Sequence, residues 1–227
     1  MAIGGVVLLA PLLGLTVAVI DPLYKRPAVP ADAAPQRQRR ALRVLSLNVA
    51  HGRGTSFHQL LTRRTHIERN LEAIAELIRQ SDADVVALQE LDAPSAWSGG
   101  FDHLAFLQER TELPHAFHGL HLKRAKLAYG TGILSRYPIE AEHSHAFSLN
   151  ALDTKGYVRT RIATPQGAVD VVSLHLDFKR DSERALQLAQ LSERLAEREN
   201  PAQALVVAGD FNCRLEGADG VLAAFAE

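Results

Sequence analysis

One cysteine, Cys213, stands in 227 residues, which excludes an intramolecular disulfide and any cysteine-rich zinc site. No base beside it in the sequence would activate a thiol, so a small buried packing residue is expected there. A global field is lacking too: 25 Lys and Arg against 26 Asp and Glu leave a formal net charge of −1. Binding to a polyanion would need a local patch rather than overall attraction. No internal repeat is present, and no biased tract beyond a Pro- and Ala-containing stretch near the N-terminus. What remains, 47% apolar and 22% charged residues, is the composition of a soluble globular chain. Its length suits one α/β domain with a short appendage.

The appendage is at the N-terminus. Residues 2–20 carry no charge, and as a helix rising ~1.5 Å per residue they would span a bilayer core. A retained anchor and a cleaved signal peptide both fit. A soluble core helix fits less well, because nothing amphipathic interrupts the run. Ala31–Ala33 offers a small-x-small cleavage site, although a basic region before the run is missing. Lys25, Arg26, Arg37, Arg39 and Arg40 follow it, which by the positive-inside rule favours a cytoplasmic domain, against export. The expected organisation is a hydrophobic anchor or signal segment over 1–20, a Pro/Ala/Arg linker over 21–40 and a folded domain over 41–227. Such a protein is membrane-associated or exported, with its sidedness open.

From residue 41 onward strands and helices alternate. Strand patterns fall at 42–50, in the apolar run after "SDAD" (81–84), and at 114–122, 131–135, 156–164, 168–176 and 204–212. Ile67, Leu71, Ile74 and Ile78 recur at helical spacing, a shorter helix is expected over 102–111, and a long one over 182–200. In the long helix Ser182 is the expected N-cap and Pro201 the terminator. The pair 156–164 and 168–176, joined by "PQGA", reads as a hairpin, so a two-sheet sandwich with flanking helices is expected rather than a parallel Rossmann sheet.

Four of the strands end on polar groups: Asn48 after "VLSL", Glu90 after "VVALQ", His175 after "VVSL", and Asp210 with Asn212 after "LVVAG". Singly, each has a structural use, as a turn asparagine, a solvated loop acid, a satisfied core histidine or a helix cap. Together they suggest more, since strand tips converge on one edge and α/β folds build their sites there. Carboxylates, carboxamides and an imidazole at one point make a hard-oxygen cation site beside a proton carrier, the equipment of magnesium-assisted phosphoryl chemistry.

"LSLNVA", "DVVALQE", "YGTGILSRYPI", "VVSLHLD" and "VVAGDFN", in this order, resemble the endonuclease/exonuclease/phosphatase superfamily, with its deoxyribonuclease I-like fold, over roughly residues 42–215. The resemblance implies a four-layered α/β sandwich of two mixed β-sheets flanked by helices. It also implies Mg²⁺-dependent phosphoester hydrolysis, with Mn²⁺ as an alternative ion. By the same resemblance Glu90 is the principal metal ligand and Asn48 a second contact. His175 touches the phosphate and assists the leaving group, Asp210 orients or deprotonates the attacking water, and Asn212 donates to phosphoryl oxygens. Thr131 stands where many members carry a phosphate-contacting asparagine. The family's late Ser-Asp-His motif has no counterpart after "GDFN", and no histidine follows His175. The expected fold therefore lacks its C-terminal strands, as a fragment of a longer reading frame would, and the chain alone should be weakly active at most.

Other residues carry weaker suggestions. His115, His118 and His121 could be a metal cluster, but on a strand a spacing of three alternates faces. Trp97, on a glycine-rich loop, is either a substrate-binding rim or ordinary packing. Arg63, Arg64, Lys123, Arg124 and Lys126 could face phosphate, with a solvated face as the default. A phosphodiesterase or phosphatase acting on lipid headgroups or small phosphoesters is the leading expectation, as a monomer. An exported or membrane-associated nuclease, with nucleic acid possible but not favoured as partner, and a non-catalytic phosphoester-binding module are the alternatives.

Overall fold

The chain builds two mixed β-sheets whose central strands carry apolar residues on both faces. The computed structural model describes residues 41–56, 62–124, 126–147, 149 and 154–213, with the backbone of two short strands, β1 (Leu8–Leu9) and β2 (Thr16–Ala18). The first sheet runs β2, β3 (Arg43–Asn48), β4 (Val85–Asp92), β6 (Leu127–Ser135), β5 (His115–Arg124). The second runs β1, β10 (Ala204–Asp210), β9 (Gly167–His175), β8 (Gly156–Thr164), β7 (Ile139–Ala146). The pairs β3–β4 and β9–β10 are parallel, whereas β4–β6, β5–β6, β7–β8 and β8–β9 are antiparallel.

Strand alternation decides the layers. Val85 and Ala87 of β4 point inward and meet Val171, Val206 and Ala208 of the second sheet. Val86 and Leu88 point outward, under Ile67, Leu71 and Ile78 of α1 (Arg64–Ser81) and Leu104 and Leu107 of α2 (His103–Thr111). On the opposite surface Val172, Leu174 and Val207 pack under Leu188, Leu191 and Leu195 of α3 (Asp181–Ala196). The result is the four-layered sandwich, helix, sheet, sheet, helix, that the sequence led us to expect. Cys213 is a free, buried thiol in the cluster beneath α3, as expected of a packing residue.

The hairpin also forms. Thr164 pairs with Gly167 across a two-residue turn, and the register carries Gly156 opposite His175. Gly209 lies against Leu174 of β9, where a Cβ would collide with the Leu174 carbonyl oxygen, so a larger residue would wedge β9 and β10 apart.

Three local expectations need correction. Ser182 is not the N-cap of α3: Arg180 takes that place without a side-chain bond, while Asp177 Oδ1 accepts from the Lys179 and Arg180 amides at 2.8 and 2.9 Å. The helix stops at Ala196, four residues before the asparagine that precedes Pro201. Strand β7 was missing from the sequence pattern because Glu140, Glu142 and His143 make it polar, as suits the outer strand of a sheet. Apart from β1 and β2, the anchor-or-signal and linker expectations for residues 1–40 lie outside the described residues. No helix among the described residues is long and apolar enough to cross a membrane.

Candidate active site

The ends of β3, β4, β9 and β10 meet at one edge of the sandwich. Asn48, the last residue of β3, donates Nδ2 to Asp210 Oδ2 at 2.8 Å, and its Oδ1 accepts the Ala50 amide at 2.9 Å. This amide orientation is the only one that serves both neighbours, since the carboxylate accepts and the amide donates. Asp210 Oδ1 accepts the Asn212 amide at 3.0 Å, and Asn212 Nδ2 donates to the Leu176 carbonyl at 2.9 Å. Both Asp210 oxygens are thereby fixed. Burial pushes the Asp210 carboxyl above its ordinary range, against the opposing effect of the Asn48 and Asn212 hydrogen bonds.

Glu90 reaches the same point through a backbone irregularity. On β4, Leu88 pairs with Gly132 and Leu91 with Gly130, so Gln89 and Glu90 together oppose the single residue Thr131. Glu90 adopts φ 51°, a left-handed conformation that costs a non-glycine residue ~1 kcal/mol or more. A bulge of this kind turns a side chain away from its strand's alternation. Here it brings Glu90 Oε1 to 3.9 Å from His175 Nε2, with Asp210 Oδ2 at 3.8 Å from the same nitrogen.

His175 is 5% exposed. Burial first, and then the Lys155 charge, hold its pKa well below the ordinary histidine value, so the ring is neutral near pH 7. The two carboxylate distances are therefore contacts of a neutral imidazole and not ion pairs. Lys155 Nζ donates to this ring, 2.7 Å from Nε2.

A second histidine, not anticipated from the sequence, stands on the other side of Glu90. His51 follows Asn48 in the turn Ala50–Gly52, with φ 54°. Its Nδ1 lies 2.7 Å from Asp92 Oδ2, and its Nε2 lies 3.6 Å from Glu90 Oε2. Asp92 is fully buried and also accepts from Trp97 Nε1 at 2.7 Å. Burial opposes its charge, but the hydrogen bonds from His51 and Trp97 outweigh burial and hold its carboxyl below the ordinary range. Trp97 and Tyr129 stack with centroids 5.6 Å apart, and each lies 4.9 Å from the His51 ring. Trp97 thus sits at the site and supports Asp92.

Of the residues expected from the sequence, the structure brings Asn48, Glu90, His175, Asp210 and Asn212 together. Thr131 is fully buried opposite the bulge, with its hydroxyl 2.8 Å from His121 Nε2. His118 Nε2 contacts the Leu91 carbonyl instead, so His118 and His121 serve separate partners. Arg64 pairs with Glu68 and lies over Phe101, a structural use. An open groove lined by Ser56, Thr62, Arg63, Thr65, His66 and Arg69 lies at the start of α1 and holds none of the strand-tip residues. Among the described residues no three His, Cys, Asp or Glu side chains form a ready-made metal cage.

Two back-to-back mixed sheets with acids, amides and imidazoles at one strand-tip edge define a deoxyribonuclease I-like α/β sandwich. The chain belongs to the endonuclease/exonuclease/phosphatase family, whose model matches residues 45–224. The protein YbhP of Escherichia coli strain K12 is 28% identical over 187 residues, covering 78% of this chain and 69% of YbhP. Sphingomyelinase C from Streptomyces griseocarneus superposes with a TM-score of 0.62 at 20% identity, over 81% of this chain and 68% of that one. Humanized D. rerio TDP2 gives 0.57 at 20% identity, over 80% of this chain and 65% of that one. At such identities the two solved structures establish a shared fold.

Proposed function

We propose that the protein is a divalent-metal-dependent phosphoester hydrolase, a phosphodiesterase or phosphatase of small phosphoesters or lipid headgroups. One observation carries the proposal: Glu90 and Asp210, from different sheets, both stand within 3.9 Å of a buried neutral imidazole nitrogen on His175. The net charge of −1 and the uncharged run 2–20 support a small or membrane-proximal substrate over duplex DNA.

The donor chemistry fits Mg²⁺ or Mn²⁺. A hard dication takes one or two carboxylates and completes its shell with water and substrate oxygens, so it needs no protein cage. Glu90, with a side chain 22% exposed, would hold it, with the second lone pair of Asn48 Oδ1 nearby. When bound, such an ion offsets charge developing on the phosphoryl and leaving oxygens.

The remaining residues act through their own groups. Asp210, with both oxygens fixed and its pKa raised by burial, is a competent acceptor for a proton of the attacking water. With Nε2 accepting from Lys155, a neutral His175 keeps its hydrogen on Nδ1 and orients the Lys155 ammonium, whose positive charge would meet a phosphoryl oxygen beside the ring. Asn212 gives one amide hydrogen to Leu176 and keeps a second for the substrate.

The test is hydrolysis of bis(p-nitrophenyl) phosphate, p-nitrophenyl phosphorylcholine and plasmid DNA, with Mg²⁺ and with EDTA. Mg²⁺-dependent release from the small esters is expected. Cleavage confined to plasmid would make the protein a nuclease, and cleavage that survives EDTA would refute metal dependence.

A further inference from the structure

Asp92, His51 and Glu90 form a chain of contacts at the site. A buried carboxylate can only accept, so His51 Nδ1 carries the hydrogen in its 2.7 Å contact with Asp92. Trp97 Nε1 occupies the other Asp92 oxygen, so the carboxylate cannot rotate without losing one of two bonds. The His51 ring is confined from two sides by Trp97 and Tyr129. What this locked ring presents to Glu90 is Nε2, at 3.6 Å from Oε2. That spacing is beyond a direct hydrogen bond, but it is a close contact that limits how far the carboxylate can turn toward the ring.

Strain points the same way. Ala50, His51 and Glu90 are three of the six non-glycine residues with positive φ among the described residues, at 49°, 54° and 51°, and all three belong to this corner. Such conformations persist where surrounding contacts over-determine them. A bulge that only re-aimed Glu90 would leave its carboxylate to swing about its own torsions. The Asp92-bound ring removes part of that freedom.

We propose that His51, held by Asp92 and Trp97, is a positioning residue for Glu90, fixing the carboxylate's orientation and so setting the site's affinity for a divalent cation. The proposal rests on the assignment of Glu90 as cation ligand made above. Groups that orient a metal ligand from behind it typically change metal affinity or activity 10–100-fold when altered.

Mn²⁺ binding to the full 227-residue chain, followed by electron paramagnetic resonance, tests this without turnover. His51→Asn is the informative variant: Asn tolerates φ near +54° and its amide nitrogen can keep the Asp92 bond, yet it cannot reach Glu90. It should weaken Mn²⁺ binding ~10–100-fold while a cooperative thermal melt shows that it remains folded. Asp92→Asn should weaken binding to a similar degree, and the double variant no further, because the two act as one unit. Should Asp92→Asn fail to fold, His51→Asn alone decides. Native Mn²⁺ affinity in His51→Asn, beside a clear loss in Glu90→Gln, would overturn the positioning role and leave Glu90 in place. Native affinity in Glu90→Gln would overturn both.

Discussion

Gln89 reaches across the sandwich to Ser173: its Nε2 donates to Ser173 Oγ at 3.0 Å, and that hydroxyl donates onward to the Leu88 carbonyl at 2.9 Å. Gln89 is 1% exposed and Ser173 0%. Each lies close before a site residue on its strand, Glu90 one residue after Gln89 and His175 two after Ser173. This bridge locks the two sheets in the register that places Glu90 opposite His175.

Replacing Gln89 with Leu should therefore damage stability and the site together. A buried hydrogen bond lost with its partner left in place costs about 1–3 kcal/mol. Urea unfolding should show that loss, and Mn²⁺ affinity should fall with it. Unchanged stability would mean the bridge is incidental.

His175→Asn should retain the fold and lose turnover. An imidazole that orients a cation toward the phosphoryl oxygens contributes ~10²–10³ in rate. The expected pattern is a kcat reduced by that range with Mn²⁺ affinity close to native. A thermal melt lowered with kcat kept would make His175 a packing residue.

Acid should destabilise the fold. His103, His118, His121 and His175 all have pKa values lowered from 6.5, with burial the first cause in each, and His121 reaches about 3. For such a group the unfolded chain binds a proton that the folded chain refuses. Stability is therefore full above pH 6.5 and falls as pH drops from there toward 3. For His121 alone the loss at pH 5.5 is about 1.4 kcal/mol. Melting temperatures should decline between pH 7 and 5, and His121→Gln should flatten the decline. An acid profile identical in that variant would show that His121 does not contribute.

Much of the fold and the centre of the site are legible in the sequence because both depend on short-range pattern. Alternation and apolar length mark β3, β4, β9 and β10, and Asn48, Glu90, His175 and Asp210 stand where those patterns end. His51 and Asp92 were not legible, because their meeting depends on a left-handed turn after β3 and a bulge in β4. A histidine three residues after Asn48 and an acid two residues after Glu90 were the signals available. Lys155 was within reach: once Thr164 faces Gly167, the hairpin register puts Gly156 opposite His175 and Lys155 at its edge. β7 stayed hidden because an outer strand has little need of apolar alternation.

The proposed role of the strand-tip cluster is to hold a divalent cation through Glu90 for the cleavage of phosphoesters. The direct measurement is a Mg²⁺ titration of bis(p-nitrophenyl) phosphate hydrolysis by the native chain and by Glu90→Gln, with melts to confirm folding. A saturable Mg²⁺ response is expected in the native protein and a rate lower by ~10²–10³ in the variant, its response shifted to higher Mg²⁺. Superimposable titrations of two folded proteins would contradict it.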